Sequence, residues 1–357
     1  MGGIAVAGRV RIGIIGSGGI AGAHMHAYAQ IPEAQVVAVC DVLPGRAHQF
    51  IERHGLEGAR AFTDHRAMLE GDFDAVSVCT FNQAHHQPTV DALAAGKHVI
   101  CEKPMAVTLG QAVAMADAAD ANKRILTIGF QSRYEPNIEM VKRVAASGEL
   151  GEVYYFETGG GRQRGIPGGT FVHQATAGGG AILDIGCYSI DTAMHLMDHP
   201  RPTTVSAVTA APFGGSPRWR EAGFDVEDFG AAWVRFESGA VFLFKISWAM
   251  HADSLGPCLF LGTRGGLRIG ATGGLGDDTI DKVEFFTDLD GRPVRTELPL
   301  QRGGGRAFLR KMAAFVTAVQ TGGPAPIPGR QVLRSMAIVD GIYRSAAQGR
   351  EVGVAAV

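Results

Sequence analysis

The sequence predicts an α/β protein in two parts. An N-terminal doubly wound parallel sheet is followed by an α+β domain with a large, mostly antiparallel, open sheet. Three observations carry this. The first 130 residues alternate short apolar, β-branched runs with helical stretches, as repeated βα units do. A glycine-rich turn, Gly16-Ser17-Gly18-Gly19-Ile20-Ala21, links the first run to the first helix. Beyond Gln131, strand-like stretches follow one another, several joined by hairpin signals. At roughly 150 residues per domain, 357 residues make about two, placed at 1–130 and 131–357.

Val10–Ile15 reads as a strand buried on both faces, and the helix after the glycine turn runs to about Ile31, where Pro32 stops it. Val36–Cys40 is the second strand, and Pro44–His54 a helix opened by its proline. Ala75–Cys79 and His98–Cys101 are strands on either side of a helix, Pro88–Ala95, that ends at Gly96. Thr108 caps Leu109–Asn122, and Arg124–Gly129 is the last strand of this set. A helix at Pro136–Ser147 leads into strands at Glu152–Thr158, Thr204–Val208, Ala231–Phe236, Val241–Trp248, Leu259–Gly262 and Lys282–Thr287. Glu237-Ser238-Gly239 and Asp288-Leu289-Asp290-Gly291 are hairpin signals. Helices at Ala181–Met197, Arg306–Gln320 and Gln331–Gln348 complete the second domain.

With 33 basic against 35 acidic side chains the formal charge is −2, so nothing electrostatic points to nucleic acid or an anionic membrane. Cys40, Cys79, Cys101, Cys187 and Cys258 form no CxxC pair and read as buried reduced thiols. Histidines and carboxylates lack HExxH spacing, so no metal site is expected. The N-terminus has no basic region ahead of its apolar stretch, and residues 12–32 are too rich in glycine and histidine to span a membrane. A cytoplasmic protein is expected. Glycine is the outlier: 50 of 357 residues, about twice the usual ~7%, with no Gly-X-Y period.

Part of that excess has a chemical use. In Gly16-x-Gly18-x-x-Ala21, Gly16 permits a tight turn and Gly18 clears the path of a pyrophosphate. Ala21 keeps helix and strand close, while Ser17, Gly19 and Ile20 lead into a helix N-terminus that offers amide donors. Asp41 follows Ala21 by 20 residues, at the end of the second strand. A carboxylate there suits the adenosine ribose hydroxyls and repels a 2′-phosphate, which favours NAD over NADP. Glu102 and Lys103 stand at the carboxyl end of another parallel strand, on the rim where such sheets bind ligands. Lys103 there can donate to a substrate oxygen or release a proton, although the neighbouring carboxylate opposes that release.

The run GIIGSGGIA, Thr80-x-Asn82-x-x-His85, GKHVICEKP and GGGAILDIGCYSID occur in one order, followed by GTRGGL and GIYRSAAQGREV. In this set the chain resembles the glucose–fructose oxidoreductase / inositol dehydrogenase family (Gfo/Idh/MocA) over nearly its whole length. The resemblance implies a Rossmann domain holding NAD, a catalytic Lys103, a Thr80–His85 loop along the cofactor, and a cis peptide before Pro104. Phe81 departs from the family, which usually has proline there. Many relatives carry DxGxHxxD; this chain has Tyr188 at the histidine position.

Asp184 and Tyr188 are four apart, on one helical face. A phenol near pKa ~10 is a poor base unless a cation steadies its anion. Three possibilities for the base stay open: Tyr188 tuned by Lys103, Lys103 itself, or a nearby histidine such as His173. Arg162 and Arg164 either fork onto sugar hydroxyls or a carboxylate, or are solvated loop charges. His24 and His26 read as plain helix residues, and His195 as a core histidine. The expected protein is an NAD-dependent dehydrogenase acting on a secondary alcohol of a sugar, anhydrosugar or inositol-type polyol. Its rivals are an NAD-retaining glycoside-cleaving enzyme and a non-catalytic NAD or sugar sensor. A homodimer or homotetramer is expected, since an open sheet face favours association.

Overall fold

A computed structural model describes residues 8–271, 280–301 and 306–357. The glycine run 303–305 lies outside them. The chain divides into two compact units, Met1–Phe130 with Phe308–Leu333, and Gln131–Ala307 with Arg334–Val357. Residues 308–333, assigned from sequence to the second domain, therefore belong to the first unit.

In the first unit the order is β1 (Val10–Ile15), α1 (Gly19–Tyr28), β2 (Ala34–Cys40), α2 (Arg46–Arg53), β3 (Arg60–Phe62) and α3 (His65–Leu69). It continues with β4 (Ala75–Val78), α4 (His86–Ala94), β5 (His98–Cys101), α5 (Leu109–Asn122) and β6 (Leu126–Ile128). The six strands are parallel, in the order β3-β2-β1-β4-β5-β6. That is the doubly wound arrangement, with its change of direction between β1 and β4. Every residue of β4 and β5 is buried, which is why these runs are apolar without alternation. Met312, Phe315, Val316 and Val319 complete the core beside Ile12, Ile14 and Val39. The Thr108 hydroxyl accepts from the Gln111 amide at 3.2 Å, the expected cap. Three differences have local causes. Helix α2 starts at Arg46 rather than Pro44, because Gly45 takes a left-handed φ of 82° before it. The unforeseen β3 is a three-residue edge strand, and α3 is a five-residue helix capped by Asp64 on the Arg66 amide at 2.9 Å.

The second unit contains α6 (Pro136–Ala146), β7 (Val153–Gly161), α7 (Gln174–Ala177), a π turn (Ile182–Gly186) and α8 (Cys187–Leu196). Next come β8 (Pro202–Ala210), α9 (Pro217–Glu221), β9 (Phe229–Phe236), β10 (Val241–Ser247), β11 (Cys258–Gly262), β12 (Gly265–Ala271), β13 (Ile280–Leu289) and β14 (Arg292–Glu297). The chain ends with α10 (Ala307–Thr321), which from Phe308 on lies in the first unit, α11 (Gly329–Gln348) and β15 (Val352–Gly353). Nine strands form one sheet, ordered β14-β13-β12-β11-β7-β10-β9-β8-β15; β7 and β10 pair in parallel and the other neighbours antiparallel. One face carries the core, where Phe156 stacks on Phe242 at 4.7 Å between ring centroids. The other, with Tyr155, Leu243 and Trp233, is only half covered, so the sheet is open on that side. The Asp288–Gly291 hairpin is present, with left-handed φ at both Asp290 and Gly291 joining β13 to β14.

Candidate active site

In the first unit, register makes the site. Ile15 lies opposite Cys40 and Val78, and Val78 opposite Cys101. The residues just past these strand ends, Gly16, Asp41, Cys79–Thr80 and Glu102–Lys103, therefore stand along one carboxyl edge. Gly16 has φ 89°, and a Cβ there would sit 2.6 Å from the Cys79 carbonyl oxygen, so the turn tolerates only glycine. Asp41 Oδ2 accepts from the Ser17 amide at 3.0 Å and its hydroxyl at 2.6 Å, and Oδ1 accepts from the Leu43 amide at 3.0 Å. Burial raises the Asp41 pKa, but these bonds and Arg46 outweigh it and hold the carboxyl below its ordinary value. Asp41 thus stays ionised and ties the glycine turn to the end of β2.

His85 is buried, with Nδ1 2.7 Å from the Pro104 carbonyl and Nε2 3.2 Å from that of Thr80. Burial pushes its pKa down, so the ring is neutral and carries one N–H. It clamps the Thr80 loop to the peptide after Lys103; the Lys103–Pro104 bond is cis. Asn82 is buried in the same loop, whereas Phe81 and Ile20 are exposed.

Glu102 is 3% exposed and lies in a polar cluster that the sequence did not reveal. Its Oε1 accepts from Lys311 Nζ at 2.7 Å and from His24 Nε2 at 2.9 Å, and Oε2 from the Lys103 amide at 3.3 Å. Although burial opposes ionisation, Lys311 and His24 hold the Glu102 carboxyl far below the usual carboxylate range. Burial keeps His24 neutral. An acceptor-only carboxylate fixes its tautomer: Nε2–H donates to Glu102, and Nδ1 accepts from the Ser77 hydroxyl at 3.2 Å. The Tyr28 hydroxyl then donates to Ser77 at 2.7 Å. His24 is therefore no plain helix residue, while His26 is exposed.

In the second unit, Asp184 belongs to the π turn rather than to a continuous α-helix from Ala181. Gly186 packs so closely on β10 that a Cβ would meet the Phe244 ring at 2.8 Å. Asp184 is buried and its Oδ2 accepts from the indole N–H of Trp248 at 3.0 Å. Glu227 caps the start of the turn by accepting from the Gly180 and Ile182 amides at 2.8 and 3.0 Å. The half-buried Tyr188 donates its hydroxyl proton to Gln131 Oε1 at 3.0 Å. One turn on, Asp191 forms a buried two-pronged pair with Arg133 at 2.8 and 2.7 Å.

Other candidates make contacts within the second unit. Arg164 donates to the Met250 carbonyl at 2.8 Å and lies 5.1 Å over the Phe213 ring. Arg162 donates to the Gly165 carbonyl at 3.2 Å. Both arginines are exposed. His173 Nδ1 bonds the Gly223 carbonyl at 3.0 Å. His195 is largely buried, and its pKa falls to about 3 through burial and Arg133.

The first-unit edge fits a dinucleotide. A Cβ on Gly18 or Gly19 would meet no atom within 4 Å, so no protein contact demands glycine there. Helix α1 has no side-chain cap and no acidic residue in its first turn. The Thr80 hydroxyl is buried without a hydrogen-bond partner among the described residues. No group of histidine, cysteine, aspartate and glutamate suited to a metal occurs among the described residues, and no described helix is long and apolar enough to cross a membrane. The five cysteines are buried, and none forms a disulfide among the described residues.

Residues 10–130 match the profile GFO/IDH/MocA, "Oxidoreductase family, NAD-binding Rossmann fold", and residues 138–268 the GFO/IDH/MocA C-terminal domain. The chain is 30% identical over 355 residues to D-glucoside 3-dehydrogenase of Escherichia coli K12, covering 96% of this chain and 97% of that protein. It is similar to the crystal structure of aldose-aldose oxidoreductase from Caulobacter crescentus complexed with glycerol. There the TM-score is 0.79 and the identity 28%, over 97% of this chain and 100% of that one. It also shares the fold of levoglucosan dehydrogenase in complex with NADH, with TM-score 0.82 and 23% identity over 98% and 100% of the two chains.

Proposed function

The chain belongs to the Gfo/Idh/MocA oxidoreductase family, and from that premise we propose that it is an NAD-dependent dehydrogenase acting on a secondary alcohol of a sugar, anhydrosugar or inositol-type polyol. The observation that carries this reading is the strand register, which sets the Gly16 turn, Asp41, Thr80 and Glu102–Lys103 along one edge. NAD supplies the hydride acceptor when bound. The turn Gly16–Ala21 and the α1 amides receive its pyrophosphate, the ionised Asp41 its adenosine ribose, and Thr80, Asn82 and His85 shape the loop beside it. Lys103 and Tyr188 handle the hydroxyl proton, and Asp184, oriented by Trp248, aligns the substrate. Arg162 and Arg164 act on specificity by holding the loop rather than by direct recognition. A cytoplasmic homodimer or homotetramer associated through the open sheet face belongs to the same proposal.

The three relatives above are named as dehydrogenases or oxidoreductases, which favours net hydride transfer over glycoside cleavage or sensing. The test is NADH formation on glucosides, levoglucosan and inositols with NAD or NADP. Lys103→Met should bind NAD normally and lose about 10²–10⁴-fold in turnover. Full turnover by this variant would remove Lys103 from the mechanism, and a preference for NADP would overturn the role of Asp41.

A further inference from the structure

Helix α10 brings one buried cation to the first unit, Lys311, which is 2% exposed and contacts a residue 209 positions earlier in the chain. A lysine is seldom so buried unless an anion meets it. Its anion is Glu102, and Lys311 Nζ also donates to the Gly129 carbonyl at 3.3 Å. The carboxylate has little room to turn. His24 holds Oε1 from α1, the Lys103 amide reaches Oε2, and a Cβ on Gly129 would lie 2.7 Å from Oε1. Glu102 is covalently next to Lys103, so fixing its side chain and amide fixes where the following residue leaves β5. Charge matters as well as shape. An uncompensated carboxylate beside a proton-transferring lysine would steady the ammonium form and oppose proton release.

We infer that Lys311 and His24 are positioning residues for Lys103. They lock the Glu102 carboxylate into the core, Lys311 balancing its charge and His24 donating to it, so that it anchors the Lys103 amide instead of serving as counter-ion to the Lys103 ammonium. This rests on the proton role proposed for Lys103.

The test compares Lys311→Met, His24→Gln, Lys103→Met and the charge-neutral pair Glu102→Gln/Lys311→Met. It reads the single-turnover rate of NADH formation separately from NAD affinity measured by fluorescence titration. Lys311→Met should bind NAD within about threefold of the parent yet form NADH about 10²-fold more slowly, and His24→Gln about tenfold more slowly. The charge-neutral pair should recover about tenfold of the Lys311→Met loss, because the two positions are coupled. If Lys311→Met does not fold, the charge-neutral pair carries the test, with an expected rate within about tenfold of the parent. A folded Lys311→Met with an unchanged single-turnover rate would overturn the inference. So would a charge-neutral pair as slow as Lys103→Met. A fast Lys103→Met sinks the reading of Lys103 itself, whereas a slow Lys103→Met beside a fast Lys311→Met sinks only the positioning role.

Discussion

The two units hold their chemistry-bearing residues by different means. In the first, the anchor is an ionised carboxylate, Glu102, whose compensating lysine comes from the far end of the chain. In the second, Asp184 is held by a neutral donor, Trp248, and by close backbone packing at Gly180 and Gly186. A buried ion pair of that unit, Arg133–Asp191, lies further along α8. A charged anchor depends on its distant counter-ion, because losing it strands a buried charge. A neutral anchor depends on shape, and its failures are steric.

The largest effect should come where the second unit does use charge. Arg133→Met leaves Asp191 buried and unpaired, at a cost of about 3–5 kcal/mol in urea unfolding. Arg133→Met/Asp191→Leu should cost clearly less, and equal losses would show that packing, not charge, matters at this pair. Gly180→Ala tests the steric side. Its Cβ would fall 1.8 Å from the Glu227 carbonyl oxygen, so backbone must move. A loss of about 1–3 kcal/mol is expected, with lower turnover, since Glu227 and Gly180 begin the Asp184 turn.

Acid should act on both units through buried neutral histidines. Burial, with Arg124 nearby, lowers the His98 pKa to about 4; burial, with Arg133 and neighbours, lowers that of His199 to about 3. His98 Nδ1 accepts from the Ile125 amide at 3.1 Å, a bond that protonation there would break. Folded values below the unfolded ~6.5 mean that the unfolded chain binds more protons in between. Stability should therefore be full above pH ~6.5 and fall as the pH drops toward 4, by up to about 1.4 kcal/mol per pH unit for each such histidine. His98→Gln should flatten that slope in denaturation curves taken at pH 7 and pH 5.

The smallest stability effect belongs to Gly18→Ala. With open space around its Cβ and φ at −78°, the alanine should cost no more than about 1 kcal/mol, from the poorer N-cap alone. NAD affinity should nonetheless fall by about tenfold or more, as a methyl enters the proposed phosphate path. An unchanged affinity would displace the pyrophosphate from this turn.

Much of the architecture was legible because its cause is local. Apolar runs without alternation marked β1, β4 and β5, and Thr108 marked the start of α5. The elements that escaped are short or weakly patterned. Strand β3 has three residues at an edge, and β12, GGLRIGA, has three glycines among its seven residues. Helix α3 spans five residues, too few to show a helical period.

At the site, the sequence by itself determined which residue types stand at the strand ends. Gly16, Asp41, Glu102 and Lys103 each follow a recognisable β-run, and a parallel sheet brings successive strand ends to one edge. It also showed Asp184 and Tyr188 in one helical segment. Only the tertiary structure decided what holds them. Lys311 and Trp248 lie 209 and 64 residues from Glu102 and Asp184, and no periodicity links side chains so far apart. The same distance rule applies to the close packing of Gly186, in the π turn, on Phe244 of β10, and to the assignment of residues 308–333 to the first unit. Local pattern reports what a residue can do, while burial and partners, set by packing, decide its charge and direction.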